Sequence, residues 1–161
     1  EDLAAEIKKK GYDDKITVVE EDTKGTLVQE LFELHAENKY IQPTFIIDHP
    51  KESTPLCKAH RENPELIERF EPFVYGMEIG NAYSELNDPV LQRILFEEQE
   101  KAIAAGSEKA EPLDEEFLRA IEYGMPTTGG LGLGIDRMVM LMTDSKSIRD
   151  VILFPFMKPI Y

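Results

Sequence analysis

Two glutamates, Glu71 and Glu78, flank a predicted hairpin turn near residue 75. With the turn centred there, the two residues face each other on adjacent strands, with Cβ atoms ~5 Å apart. Like charges that close destabilise each other unless one carboxyl protonates or a cation lies between them. Mg²⁺ is the natural cation, because it takes carboxylate oxygens together with substrate phosphates. The alternative is a pair of exposed glutamates on a sheet edge, which spacing alone favours.

Three polar residues follow the hairpin at alternate positions. Asn81, Tyr83 and Glu85 share strand parity, so they are predicted to lie on one face of a strand. An amide, a phenol and a carboxylate on one face form either a polar ligand pocket or the solvated side of an antiparallel sheet. The sequence pattern leaves both interpretations open.

A glycine cluster, Gly129, Gly130, Gly132 and Gly134, precedes a predicted helix that carries Arg137 in its first turn. Glycines let a backbone approach a ligand closely, and a helix N-terminus attracts anions such as a triphosphate. Arg137 adds a permanent cation that can contact phosphate or stack on a purine. The spacing G-x-G-x-G is neither G-x-G-x-x-G nor a P-loop. The alternative is that the glycines only let a helix pack closely on a sheet.

The other reactive side chains favour structural roles. Cys57 lies in a predicted loop without a histidine placed to activate it, which favours an inert thiol. His35, His49 and His60 have no partner at the spacing of a ligand or a catalytic base. One cysteine and three scattered histidines make a structural zinc site improbable.

The elements that must position these residues alternate between helix and strand. Thr23, Asp88 and Asp114 are predicted helix N-caps, the second followed by proline at the first helical position. Helices are predicted for residues 3–9, 23–38, 88–104, 113–123 and 135–142. Strands are predicted for residues 16–19, 44–47, 69–74 and 77–83, with a charged loop at 106–111. This order predicts an α+β fold built on an antiparallel sheet flanked by helices.

Three apolar segments are predicted to be buried. Residues 138–142 are almost continuously apolar, so we expect the helix that contains them to be core. We expect residues 151–156 to form a core strand or to pack against the core. The strand at residues 44–47 is likewise of the buried type.

Composition fits one domain over residues 1–161 and limits its partners. The net charge of −14 gives the chain no general affinity for nucleic acid, which depends on lysine and arginine. No apolar run has the ~20 residues of a membrane span, so no membrane association is expected. The single cysteine favours a reducing compartment, and we expect a cytoplasmic protein.

Several segments together resemble class II aminoacyl-tRNA synthetases. GGLGLGIDR at residues 129–137, followed by MVMLMTDS and IRDVILFP, resembles motif 3 of that class. EIGNAYSELNDP at 78–89, PTFIIDHP at 43–50 and ERFEPFV at 68–74 resemble the lysyl branch. The resemblance extends from about residue 23 to 159, while residues 1–22 match weakly.

The resemblance implies a class II catalytic domain that joins lysine and ATP into lysyl-adenylate before transfer to tRNA(Lys). It implies that Arg137 is catalytic and contacts ATP, and that Glu71 and Glu78 hold Mg²⁺ against the phosphates. Asn81, Tyr83 and Glu85 would bind the amino acid, with Glu85 meeting the ε-ammonium group of lysine. Glycines would line the ATP site, namely Gly130, Gly132 and Gly134.

Motif 1, motif 2 and an anticodon-binding barrel are not found in these 161 residues. We therefore expect the isolated chain to bind substrates weakly or to be inactive, although the family forms homodimers. One alternative is a lysyl-synthetase paralogue that modifies a protein. Another is a non-catalytic interaction module derived from the synthetase core. Aspartyl and asparaginyl enzymes share the motif 3 pattern but differ from NAYSELND.

Overall fold

The computed structural model describes residues 3–12, 16, 23–106, 110 and 112–156. These residues contain five helices, α1 Leu3–Lys9, α2 Lys24–His35, α3 Pro89–Ala104, α4 Glu115–Glu122 and α5 Ile135–Thr143. They also contain five strands, β1 Thr44–Ile47, β2 Arg69–Val74, β3 Met77–Glu78, β4 Gly80–Ser84 and β5 Gly129–Leu133. Most of the predicted strand at 16–19, and the predicted loop at 106–111 except residues 106 and 110, lie outside the described residues.

The strands form one antiparallel sheet in the order β1-β2-β4-β5, with β3 paired to β2. β2, β3 and β4 follow one another in the chain, whereas β5 joins the sheet only after α3 and α4. Every strand pair in the sheet is antiparallel. The predicted α+β fold with an antiparallel sheet and helices is therefore confirmed.

The two faces of this sheet differ in chemistry. Residues paired across antiparallel strands share a face, so the register assigns side chains to faces. The polar face, as we call it, carries Arg69, Glu71, Glu78, Asn81 and Tyr83. The apolar face carries Phe45, Ile47, Phe70, Leu131 and Leu133.

The small helical core lies beside the sheet. Ile7, Ile16 and Leu27 are buried together, so α1 and α2 pack through one apolar cluster. The ring of Phe32 on α2 meets the ring of Phe73 on β2 edge-on, with centroids 5.9 Å apart. This contact fixes α2 next to the strand that carries Glu71.

The predicted N-caps are confirmed. The Thr23 side chain accepts a hydrogen bond from Thr26 N at 3.2 Å, and Asp114 accepts one from Phe117 N at 2.9 Å. Asp88 accepts from the backbone nitrogens of Val90 and Leu91, with Pro89 at the first helical position. These caps satisfy backbone donors that have no partner inside the helix.

Asp88→Ala is expected to lower the free energy of unfolding by about 0.5–2 kcal/mol, because two helix donors lose their acceptor. Urea unfolding followed by circular dichroism measures the change. Glu97→Ala, at an exposed position within α3, is the control. Equal unfolding midpoints for the two variants would contradict the capping role.

Three predictions of burial are wrong. No residue of α5 is buried, and Met142 is 86% exposed. On β1, Phe45 and Ile47 of the apolar face are more than half exposed. The predicted core strand at 151–156 is not formed, since a 3-10 helix at Ile148–Asp150 is followed by turns, and Phe154 is 92% exposed. Apolar side chains prefer to be buried, but they are buried only where other residues pack over them.

Candidate functional site

The centre of the polar face is a set of linked side chains around Arg69 on β2. Arg69 Nε donates a hydrogen bond to Asn81 Oδ1 at 3.1 Å, and Arg69 Nη2 donates one to Glu71 Oε1. The guanidinium also lies 5.6 Å from the centroid of the Tyr83 ring, its cross-strand neighbour. One arginine thus contacts the carboxylate, the amide and the phenol ring.

Glu71 and Glu78 share the polar face, but they are not directly opposite each other as predicted. Glu78 pairs with Phe73 across the hairpin, and Glu71 pairs with Ile46 on β1. The register shifts by one residue between the β2–β3 and β2–β4 pairs, so Ile79 is an extra residue of the bulge type. Because Glu78 pairs with Phe73, two residues along β2 from Glu71, it lies diagonally from Glu71.

The two glutamates still affect each other electrostatically. Burial raises the pKa of the Glu71 carboxyl, the Arg69 guanidinium opposes that rise, and the charge of Glu78 adds to it. Glu71 is almost fully buried at 5% exposure. A cation beside these carboxylates would relieve both the desolvation and the repulsion.

His49 has a partner after all, contrary to the sequence interpretation. A left-handed backbone at Asp48, with φ of 59°, precedes His49, whose ring is buried. Its Nε2 lies 3.8 Å from Glu71 Oε2, and its Nδ1 lies 3.5 Å from Gln29 Oε1. Burial, helped by the Arg69 charge, lowers the pKa of His49 to about 4, so the ring is neutral at pH 7.

Asn81, Tyr83 and Glu85 converge on one side of the sheet, as strand parity predicted. Asn81 Nδ2 donates to Tyr83 Oη at 3.2 Å. Glu85 follows the end of β4, where its backbone nitrogen donates to Thr128 O at 3.0 Å. Burial raises the pKa of the Glu85 carboxyl. Among the described residues, no arginine or lysine forms an ion pair with that carboxylate.

Three glycines of the cluster, Gly129, Gly130 and Gly132, lie in strand β5, which the sequence reasoning missed. Gly130 pairs with Tyr83 and Gly132 pairs with Asn81, so both glycines lie on the polar face beside those side chains. A Cβ atom at Gly130 would overlap the Glu85 carboxylate. The missing side chain at Gly130 therefore makes room for Glu85.

Arg137 lies at the edge of the same face, in the first turn of α5. Gly134 is the N-cap of α5, and its nitrogen donates to Ile79 O at 3.0 Å. Arg137 Nη1 donates to the backbone oxygen of Glu78 at 2.6 Å and lies 3.3 Å from Glu78 Oε2. The arginine side chain is 47% exposed, so its guanidinium is open to a ligand while it touches Glu78.

Glu71 and Glu78 suit Mg²⁺, which phosphates and water help to coordinate, better than a metal whose ligands all come from the protein. Among the described residues, no group of three or more His, Cys, Asp or Glu could hold a metal ion. Mg²⁺ commonly uses one or two carboxylates together with substrate phosphates and water. Glu71 and Glu78, on one face and beside Arg137, supply such a pair of carboxylates. These two residues could therefore hold Mg²⁺ when phosphates complete its coordination.

Cys57 is buried behind the site, bridged to the backbone of Glu85, and its Sγ donates to Glu68 O at 3.1 Å. Burial raises the pKa of the Cys57 thiol to about 11.

The native Cys57 thiol is thus expected to react with iodoacetamide at pH 8 about 100-fold more slowly than the urea-unfolded thiol, since the thiolate is the nucleophile. Mass spectrometry measures the rates, and equal rates would contradict the buried, neutral thiol.

Comparison with known proteins places this geometry in a family. The model of the class II tRNA synthetases (D, K and N) matches residues 2–158. The chain belongs to this family. The matched residues include those of the polar face, of strand β5 and of helix α5, which carries Arg137. The resemblance to class II aminoacyl-tRNA synthetases is therefore confirmed.

Relatives of this class II synthetase chain include three bacterial lysine–tRNA ligases. That of Clostridium perfringens strain 13 is 61% identical over 137 residues, which is 85% of the chain and 27% of the relative. That of Azobacteroides pseudotrichonymphae is 57% identical over 144 residues, 88% of the chain and 29% of the relative. That of Porphyromonas gingivalis W83 is 56% identical over 148 residues, which is 91% of the chain and 26% of the relative. The chain thus spans little more than a quarter of these relatives' length.

Over the part of the chain that the structure describes, no helix is both long and apolar enough to cross a bilayer.

Sequence reasoning missed two residues that the synthetase site brings together, Arg69 and His49. Arg69 has the same strand parity as Glu71, so the alternation that identified Asn81 and Tyr83 could also have found it. His49 gives no such signal, because its approach to Glu71 depends on the turn at Asp48 and on the pairing of β1 with β2.

Proposed function

We propose that this chain is part of the catalytic domain of a lysine–tRNA ligase, which activates lysine with ATP and transfers it to tRNA(Lys). The observation that carries the proposal is Glu85, a carboxylate with a burial-raised pKa and no ion-pair partner in the described chain. The similarity to lysine–tRNA ligases over most of the chain supports the same function. The homodimer expected for the family stays a prediction.

Lysine selection follows from the charge of Glu85. A partly desolvated carboxylate gains from the ε-ammonium of lysine, whereas a neutral side chain would leave it unpaired. The loss of one partner from such a pair costs ~2–5 kcal/mol. Asn81 and Tyr83, next to Glu85 on the polar face, offer an N–H donor and a hydroxyl for the rest of the amino acid. A cationic amino acid suits these three side chains together.

The ATP end of the proposed site is the edge formed by Glu71, Glu78 and Arg137. The two carboxylates would hold Mg²⁺, which supplies positive charge to the phosphates when it is bound. Arg137 would contact the ATP phosphates or the base with its open guanidinium. Gly130, Gly132 and Gly134 would let the nucleotide approach the backbone closely.

The proposed chemistry requires positioning and charge neutralisation rather than a protein nucleophile. A carboxylate oxygen of lysine attacks the α-phosphorus of ATP and forms an acyl–phosphate bond. The bond between the α-phosphorus and the bridging oxygen breaks, and pyrophosphate leaves with the electron pair. Asn81, whose amide accepts a hydrogen bond from Arg69, is suited to holding the amino acid in line with ATP.

Amino-acid-dependent ATP–pyrophosphate exchange tests this function in the full-length protein that contains these residues. We expect exchange with lysine, and we expect Arg137→Lys to lower it by at least about 100-fold, since lysine has no planar fork. Arg119→Lys, at an exposed position on α4, is the matched control and should exchange normally. Exchange driven by aspartate or asparagine, and not by lysine, would contradict the proposal.

A further inference from the structure

We infer that Arg69 is a positioning residue that orients the Asn81 amide and holds the Glu71 carboxylate, so that one side chain sets both the amino-acid and the metal end of the site. The inference rests on the proposed function, because it takes the roles of Asn81 and Glu71 from there. Arg69 itself is not placed in contact with either ligand.

Arg69 has the geometry for this double task. Its side chain is 11% exposed, and Nε and Nη2 point to two different acceptors, Asn81 Oδ1 and Glu71 Oε1. Tyr83, its directly paired residue on β4, lies against the guanidinium. A guanidinium presents several donors in one rigid plane, whereas an ammonium group is a point donor on a flexible stem. Lysine at this position could keep the charge but could not hold both acceptors in this arrangement.

The contact with Arg69 fixes which end of the Asn81 amide faces the ligand. Because Oδ1 accepts from Arg69, the two N–H bonds of Nδ2 point away from Arg69, and one donates to Tyr83 Oη. The other remains for a ligand, and an N–H donor suits the carboxylate of an amino acid. Without Arg69 the amide could rotate and present its oxygen, which would repel that carboxylate.

At the other end, Arg69 donates to one oxygen of Glu71, and His49 lies near the other without a hydrogen bond. Arg69 Nη2 donates to Oε1, while His49 Nε2 lies 3.8 Å from Oε2. The Arg69 hydrogen bond thereby holds the carboxylate in one orientation on the face it shares with Glu78.

A double-mutant cycle on the full-length protein tests the inference, with the dissociation constant of lysine as the measurement. Arg69→Lys is expected to weaken lysine binding about 10-fold in the unmodified background and less than about 2-fold in the Asn81→Ser background. This non-additivity is expected because Arg69 acts on lysine through Asn81. A general loosening of the fold would give the same factor in both backgrounds. Mg²⁺ affinity in the presence of ATP should fall in Arg69→Lys as well.

Arg61→Lys is the matched control, since Arg61 is 83% exposed and pairs with Glu68 away from the polar face. It should bind lysine and Mg²⁺ as the unmodified protein does. Equal factors in the two Asn81 backgrounds would overturn the inference and leave the proposed function intact. Failure of the unmodified protein to bind lysine would overturn both.

If Arg69→Lys does not fold, the unmodified protein provides a second measurement. The Nε–H resonance of Arg69 should shift on addition of lysine alone and again on addition of Mg-ATP, although neither ligand is placed against it. If lysine binds but the Nε–H resonance of Arg69 does not shift, the inference would be overturned.

Discussion

Glu85→Gln is expected to weaken lysine binding by at least about 100-fold, which corresponds to ~2.7 kcal/mol. Glutamine has nearly the same shape as glutamate but leaves the ε-ammonium of lysine without a counter-charge in a partly desolvated site. The expected loss lies within the ~2–5 kcal/mol range for breaking such a pair. Calorimetric titration of the purified protein with lysine measures the change.

Two observations separate this effect from a general loss of charge. Glu98→Gln, an exposed glutamate on α3, removes the same charge far from the site and should leave lysine affinity unchanged. ATP affinity should survive Glu85→Gln, because the proposed phosphate contacts lie at Glu71, Glu78 and Arg137. A Glu85→Gln protein that binds lysine normally would refute the assigned role of Glu85.

Gly130→Ala is expected to reduce lysine binding to a similar extent, although it removes no polar group. The added methyl would overlap the Glu85 carboxylate, so the carboxylate must turn away from its position above the strand. The overlapping atoms are the end of a flexible, half-buried side chain, so this turn should cost little stability. Lysine titration, combined with thermal unfolding of the same sample, measures both effects.

Gly129→Ala is the matched control for Gly130→Ala. A Cβ atom at Gly129 has only Tyr83 O within 4 Å, at 3.8 Å, which is an ordinary contact. The two substitutions change the unfolded chain in the same way and lie next to each other on β5. Similar lysine affinities for the two variants would show that Gly130 does not make room for Glu85.

The sequence was most informative where structure is local. The N-caps at Thr23, Asp88 and Asp114 depend on one side chain and the next three residues, and all three are confirmed. The α+β class follows from the order of such elements. The turn at Tyr75–Gly76 likewise has a local signal in the glycine, which adopts a φ of 70°.

Register and burial could not be predicted in the same way. The hairpin turn is centred between Tyr75 and Gly76, so Glu78 pairs with Phe73 rather than with Glu71. An extra residue at Ile79 follows where β2 changes its partner from β3 to β4. The glycine cluster was predicted only to precede a helix, because strand β5 has too few side chains to show alternation. The apolar residues of α5 were expected to be core, since a sequence shows the preference for burial but not the covering layer.

The candidate site was predictable as a set of residues rather than as a geometry. Strand parity correctly placed Asn81, Tyr83 and Glu85 on one side of the sheet. Arg69 contacts Asn81 and Tyr83, and His49 lies near Glu71, across strand pairs that the sequence does not specify.

Thermal unfolding with adenylate analogues tests the central claim most directly. The purified protein would be melted alone and with non-hydrolysable lysyl-adenylate or aspartyl-adenylate analogues. At 100 times its dissociation constant, a ligand that binds only the folded state stabilises it by ~2.7 kcal/mol. We predict stabilisation by the lysyl analogue and none by the aspartyl analogue at the same concentration. Stabilisation by the aspartyl analogue, or by neither, would contradict a site built for lysine around Glu85.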